Sequence, residues 1–176
     1  MELPSGLVGI DGVEVRPYSA SQPLVVVCER QPWATFIALG YKAFVDVPCQ
    51  PEKRPKIKVK TWVAVYAPKG RVSMSHAVKG WERLGLVGRP GRLMFPTGVI
   101  VVVAQVSGLD QWRPAWAFEI PEDPIRPEDA VRLSLKNVQS LWHPIQVAKP
   151  WKGKWAPDYT FRERVERSLR PPDPVV

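Results

Sequence analysis

The run "VIVVVAQV", residues 99–106, carries the strongest strand pattern in this sequence. Its first five residues are all apolar and β-branched, which favours extended backbone. A strand with no polar face has to be covered on both sides. We therefore predict that residues 99–106 form the central strand and that the remaining elements assemble around it.

Further strand candidates lie on both sides of this run along the chain. They are a hairpin around Asp11-Gly12, "LVVVC" at residues 24–28, "TWVAVYA" at 61–67, residues 115–120, the alternating Val131, Leu133 and Leu135, and "HPIQVA" at 143–148. Six or more strands with two or three short helices indicate an α+β fold. Their spacing favours a small, mostly antiparallel barrel.

The helices have recognisable starts and ends. In "QPWATFIALGYKAF", residues 31–44, Pro32 suits a helix start and Gly40 suits its left-handed end. A second helix is predicted in "HAVKGWERLGL", residues 76–86. After Asp158, a possible cap, Phe161, Val165 and Leu169 recur every four residues, which predicts a basic amphipathic C-terminal helix.

The length of 176 residues fits one domain with extensions. We expect an N-terminal hairpin extension over residues 1–22, the main domain over 23–157, and a C-terminal helix and tail over 158–176.

The composition indicates a folded protein with a polyanionic partner. Hydrophobic residues make up 45% and charged residues 24%, and the formal charge is +8. Such an excess attracts RNA or other nucleic acid at long range, although a basic surface also serves solubility alone. The apolar runs are too short to span a membrane and no signal peptide is visible, so we expect no membrane and a cytoplasmic protein. Twenty prolines and one asparagine fit a thermophilic source.

Signatures of common enzymes are missing from the sequence. It contains no phosphate-cradling glycine loop and no nucleophile elbow. The two cysteines, Cys28 and Cys49, and the two histidines, His76 and His143, lack metal-ligand spacing. We predict no metal and no cofactor.

The basic segment "EKRPKIKVK", residues 52–60, is the first candidate for binding. Its cations are Lys53, Arg54, Lys56, Lys58 and Lys60. If the part after Pro55 is extended, Lys56, Lys58 and Lys60 project to one side and can follow a phosphate backbone. The alternative is that these lysines protect an exposed sheet edge from pairing.

A second candidate is "KPWKGKW", residues 149–155, where Lys152 and Lys154 alternate with aromatic residues. Trp155 can stack on a base while the amines contact phosphate. The alternative is a loop whose tryptophans close the bottom of a barrel.

The order of these pieces resembles ASCH domains of the PUA-like superfamily. The resemblance rests on an apolar strand leading to Gln31-Pro32-Trp33-Ala34 and then Gly40-x-Lys42, followed by "TWVAVYAPK", "PTGVIVVVAQV" and "LSLKNVQSLWHPIQVAKPWKGKW". It covers about residues 24 to 156. It implies a mixed, mostly antiparallel pseudo-β-barrel with a cleft beside the first helix.

The resemblance also implies a theme of binding RNA or modified nucleotides. Some ASCH proteins are amidohydrolases of N4-acetylcytidine that use a lysine, a threonine and a glutamate. Lys42 matches the lysine, whereas Val45 stands where those enzymes have threonine. Val45 and Val47 also replace a glutamate and an arginine of other members, and no residue of the sequence can be assigned as the catalytic glutamate.

Three functions follow from these observations. The first is a non-catalytic nucleic-acid-binding module that uses the basic segment, Lys42 at the mouth of the cleft, Lys152, Lys154 and Trp155. The second is a small amidohydrolase acting on an acylated nucleoside through Lys42, the one catalytic residue that the sequence offers. The third is a protein-interaction module that binds its partner through residues 158–170.

Overall fold

The structure, a computed structural model, describes residues 17–48, 57–111, 130–148 and 156–169. Within these ranges the chain forms one five-stranded sheet, three α-helices and a short 3-10 helix at Arg92–Met94. The strands are β1 (Leu24–Cys28), β2 (Phe44–Pro48), β3 (Trp62–Ala67), β4 (Val99–Gln111) and β5 (Ala130–Gln146). The helices are α1 (Trp33–Ala38), α2 (Met74–Arg83) and α3 (Tyr159–Ser168). This is the α+β class that the sequence predicted.

The sheet has the strand order β1-β3-β4-β5-β2, which places β4 at its centre as predicted. β1 pairs with β3 in parallel, and every other pairing is antiparallel. The register between β4 and β5 shifts at three points. Such bulges bend a strand and increase its twist. The sheet accordingly curls into a mostly antiparallel half-barrel.

Both faces of the sheet are buried. Along β3 the side chains alternate between two core clusters, with Val63 and Val65 in one and Trp62 and Tyr66 in the other. α1 covers the first face, and α3 together with residues near Tyr18 covers the second. All six residues of β3 are buried for this reason.

α1 is held at both ends by the residues that flank it. At the N-terminus the side chain of Gln31 accepts a hydrogen bond from the backbone N–H of Thr35 (3.0 Å) and donates one to the carbonyl of Pro96 (2.8 Å). At the other end Gly40 has a φ of 82°, the left-handed conformation predicted for the helix end. The chain reverses there and leads into β2.

The C-terminal helix packs against the domain. The side chain of Asp158 accepts a hydrogen bond from the backbone N–H of Phe161 (2.9 Å), which is the predicted cap. Val165 is completely buried, and Phe161 and Leu169 pack partly buried against the same cluster. The apolar face suggested as a surface for a protein partner is therefore covered by the sheet.

Three sequence predictions are corrected by the structure. Residues 44–48, which are not among the strands predicted from the sequence, form edge strand β2 against β5, where Pro48 is tolerated. The segment after Ile57 is a turn instead of an extended strand, because Val59 is exposed and Lys60 has a φ of 74°. The strands predicted around residues 131–135 and 143–148 are one continuous strand, β5, with Asn137 at a φ of 50°.

Other predictions fall outside the described residues. These are the hairpin at Asp11-Gly12, the strand over 115–120 and the segment 149–155. In the part of the chain that the structure describes, no helix is long and apolar enough to cross a membrane.

Candidate functional site

Lys42 lies where the end of β1 meets the chain leaving α1. Its backbone N–H bonds to the carbonyl of Phe36 (3.2 Å), and its Nζ lies 2.6 Å from Oε2 of Glu29, the residue after β1. The Lys42 side chain is only 4% exposed and that of Glu29 13% exposed. The sequence predicted a lysine at the mouth of a cleft that anchors an anion. The structure instead buries this ammonium against a carboxylate.

Next to this pair, the ring of Phe44 on β2 lies between two cations, Lys42 and Arg132 of β5. Nζ of Lys42 is 4.7 Å from the centre of the Phe44 ring, and Cζ of Arg132 is 3.9 Å from it. Arg132 also forms a bidentate ion pair with Asp46, with N···O distances of 2.8 and 2.9 Å. Because each cation already has a carboxylate partner, this row of side chains is electrostatically balanced.

The residues after Lys42 confirm the alternation expected of a strand. Val45 and Val47 point into the core cluster beneath α1, whereas Asp46 points to the other side and pairs with Arg132. Val45 is completely buried and has no hydroxyl. The position that carries threonine in the amidohydrolases therefore contributes only packing here.

Cys28 immediately precedes Glu29 in the chain. Its burial, and then the negative charge of Glu29, raise the pKa of the thiol above its usual value. A thiol with a raised pKa is protonated at neutral pH and is a poor nucleophile. The described residues also contain no group of three or more His, Cys, Asp or Glu side chains that could hold a metal ion.

Lys58 and Lys60 lie at the opposite end of β3 from its junction with α2, and a hydrogen-bonded bridge connects them to β5. Nε2 of Gln105, on β4, donates to the carbonyl of Lys60 (3.0 Å). Nδ2 of Asn137, on β5, donates to Oε1 of Gln105 (2.9 Å). The bridge crosses three neighbouring segments of the sheet and fixes their relative positions.

The bridge brings a third lysine to the same end of the sheet. Lys136 pairs with Gln105 in the β4–β5 register and immediately precedes Asn137. Lys58, Lys60 and Lys136 are all exposed. We call this group the lysine end, defined by Lys58, Lys60 and Lys136 with Gln105 and Asn137. Lys136 is not among the site residues predicted from the sequence.

Two aromatic side chains are exposed along β5: Tyr41 lies alongside residues 135–140, and Trp142 lies six residues beyond Lys136, up to about 20 Å away at roughly 3.3 Å per residue. The carbonyl of Ala43 accepts a hydrogen bond from Leu135 N (2.8 Å), and the carbonyl of Ala38 accepts one from Ser140 Oγ. These two contacts lay residues 38–43 alongside residues 135–140 of β5. Tyr41 lies between the contacts and is 45% exposed, and Trp142, two residues beyond Ser140, is 60% exposed.

The remaining predicted site residues lie outside the described ranges. They are Lys53, Arg54, Lys56, Lys152, Lys154 and Trp155. The structure therefore brings together Lys58 and Lys60 and adds Lys136 to them. Lys42 does not join this group, because it is buried beside Glu29.

Comparisons with known proteins gave structural neighbours only. No family model matches the chain, and a search of curated proteins found no match. Among solved structures, the chain is similar to a serine-to-alanine mutant of the ASCH protein from Zymomonas mobilis, with a TM-score of 0.49 and 13% identity over 82% of this chain and 96% of that one. The ASCH structure from the same organism gives a TM-score of 0.45 and 13% identity over 81% and 94%. Both neighbours bear the family name that the order of sequence motifs resembles.

Proposed function

We propose that this chain is a nucleic-acid-binding module that contacts single-stranded RNA at the lysine end. The observation that carries the proposal is the bridge from Lys60 through Gln105 to Asn137, because it gathers three exposed lysines from separate parts of the sequence. Ammonium groups held side by side on a fixed scaffold attract successive phosphates. The formal charge of +8 adds long-range attraction for the same partner.

The exposed aromatic residues along β5 favour a single strand over a duplex as the bound form. Tyr41 and Trp142 expose about half of their side chains or more. Unpaired bases stack on such rings, whereas bases in a duplex have no free face to offer. The combination of lysines and exposed rings therefore fits phosphate contact with base stacking.

A salt titration of RNA binding tests this proposal. The binding constant for a labelled single-stranded RNA of mixed sequence is measured by fluorescence anisotropy at several salt concentrations. We expect the double variant Lys58→Gln/Lys136→Gln to bind more weakly. Each lost phosphate contact lowers the slope of log K against log salt by about 0.7, so the slope falls by about 1.4.

The matched control is Arg164→Gln/Arg167→Gln on α3, which removes two exposed positive charges elsewhere. It should leave the slope unchanged, and both variants should melt at the temperature of the unmodified chain. Equal weakening in the two variants would show that only total charge matters. If the unmodified chain binds neither RNA nor single-stranded DNA at low salt, the proposal is wrong.

The pairing of Glu29 with Lys42 favours a second candidate, an amidohydrolase acting on an acylated nucleoside. A carboxylate can accept a proton from an attacking water while an ammonium stabilises the oxyanion that forms. Hydrolysis then breaks the amide C–N bond, and the products are the free amine and acetate. The 2.6 Å contact supplies both groups in one place, although Val45 supplies no hydroxyl.

Incubation with N4-acetylcytidine distinguishes this candidate from pure binding. The expected result for a hydrolase is release of cytidine and acetate by the unmodified chain and loss of release in both Lys42→Ala and Glu29→Gln. Circular dichroism of the two variants shows whether they remain folded. Absence of product at enzyme concentrations equal to that of the substrate would exclude hydrolysis of this compound.

A further inference from the structure

Residues 68–96, which we call the α2 lobe, carry a strong excess of exposed positive charge. They join β3 to β4 and include α2 and the 3-10 helix. The exposed cations of the lobe are Lys69, Arg71, Lys79, Arg83, Arg89 and Arg92, and its one acidic residue is Glu82. By contrast, α3 carries three basic and two acidic residues, so its charges nearly balance while those of the lobe do not.

The packing of α2 directs part of this charge to solvent. Ala77 and Gly80 are the buried residues of the helix. A Cβ at Gly80 would lie 2.9 Å from Cε2 of Phe36, so the two helices approach each other closely there. Lys79 and Arg83 are four residues apart on the exposed face of α2, and helical geometry places both on the same side.

Hydrogen bonds hold the rest of the lobe against α1. The hydroxyl of Thr35 donates to the carbonyl of Met94 (2.8 Å), and the side chain of Gln31 donates to that of Pro96 (2.8 Å). Within the lobe, Nε1 of Trp81 donates to the carbonyl of Val87 (3.2 Å). Because these contacts fix the loop backbone, Arg89 and Arg92 are presented from a defined surface.

The α2 lobe is separate from the lysine end. Lys60 precedes β3, and the lobe begins directly after that strand. Six residues of extended strand span about 20 Å, at roughly 3.3 Å per residue. The two positive surfaces therefore lie at opposite ends of the sheet.

We propose that the α2 lobe is a second phosphate-binding surface and that one nucleic-acid strand contacts both the lobe and the lysine end. The inference rests on the proposed function. Four of the six cations are arginines, whose planar guanidinium groups bind phosphate oxygens in a bidentate manner. Their excess over a single carboxylate is complementary to a polyanion.

A basic lobe could also bind an anionic membrane, but the α2 lobe exposes too little apolar surface for this. Val87 and Leu93 are 95% and 99% exposed, but the aromatic residues of the lobe are turned inward. Phe95 is buried and Trp81 is half-buried against Phe36. Membrane-surface binding depends on buried apolar area, and Val87, Leu93 and the partly exposed Met94 provide little of it.

The test uses the RNA titration with a lobe variant, Lys79→Gln/Arg92→Gln, which removes two exposed charges. We expect the slope of log K against log salt to fall by about 1.4, as for Lys58→Gln/Lys136→Gln. Because the two sites are far apart, the quadruple variant should lose about twice as much. The control remains Arg164→Gln/Arg167→Gln.

The possible results separate the inference from the proposed function. If the lobe variant binds like the unmodified chain while the lysine-end variant is weakened, the second surface does not exist and the proposed function stands. If the unmodified chain binds no nucleic acid, both fall. A lobe variant that loses binding to vesicles of phosphatidylcholine and phosphatidylserine, with RNA binding unchanged, would assign the lobe to a membrane and overturn the inference.

Discussion

Lys42 shows how a sequence pattern can place a residue without predicting its environment. The spacing Gly-x-Lys predicted a lysine after a helix, and the lysine is found there. Its burial and its contact with Glu29, thirteen residues earlier, depend on the residue after β1 and the residues before β2 meeting in the folded chain. No local pattern in the sequence contains that information, because β1 and β2 are separated by α1 and lie on opposite edges of the sheet.

The buried pair leads to a prediction about stability. Glu29→Gln should lower the free energy of unfolding by about 3 kcal/mol, because the Lys42 ammonium remains buried without its counter-charge. Removing both charges in Glu29→Gln/Lys42→Met should cost less than the sum of the two single changes. Urea denaturation of the four proteins measures this coupling.

Glu82→Gln is the matched control for this stability cycle, since Glu82 is an exposed carboxylate on α2. It should change the free energy of unfolding by less than about 0.5 kcal/mol. If Glu29→Gln costs no more than this control, the pair contributes nothing to stability.

At the level of elements, the sequence predicted the strands that are buried on both faces and the helices that have clear caps. β1, β3, β4, α1, α2 and α3 all overlap their predicted positions, although α2 spans Met74–Arg83 instead of 76–86 and β4 continues to Gln111. Two of the three corrected predictions share a cause. β2 and the continuous strand β5 form because strand pairing outweighs local features that disfavour a strand. These features are Pro48 in β2 and the left-handed backbone of Asn137 in β5.

The helix α3 offers a prediction at this scale. Val165→Asp should unfold the protein or lower its melting temperature strongly, because it buries an unpaired carboxylate in the second core cluster. Deletion of residues 158–176 should have the same effect, since it uncovers that face of the sheet. Thermal denaturation followed by circular dichroism measures both changes.

Arg164→Asp is the control for α3, because it places the same carboxylate on the exposed side of the helix. It should leave the melting temperature nearly unchanged. If the deletion variant melts like the full chain but no longer captures a protein partner, α3 is an interaction element and its packing role is secondary.

At the scale of the whole molecule, the charged side chains form two kinds of region, one with balanced charge and one with a net positive charge. The site beside Lys42 is balanced by Glu29 and Asp46, whereas the lysine end and the α2 lobe each carry a net positive charge. Residues 52–60 are the most visible binding candidate in the sequence because their cations are contiguous. The α2 lobe escaped notice because its cations are spread over residues 69–92 and become one surface only when α2 packs on α1.

The amino-acid sequence by itself determined the α+β class, the central strand, the helix ends and the positive charge of this protein. Those features depend on periodicity, on capping and on composition, and all of them act within a few residues or over the whole chain. Only the tertiary structure decided that Lys42 is buried with Glu29 and that Lys136 joins Lys58 and Lys60. Contacts of this kind depend on strand order and register, which are set by the packing of the entire sheet.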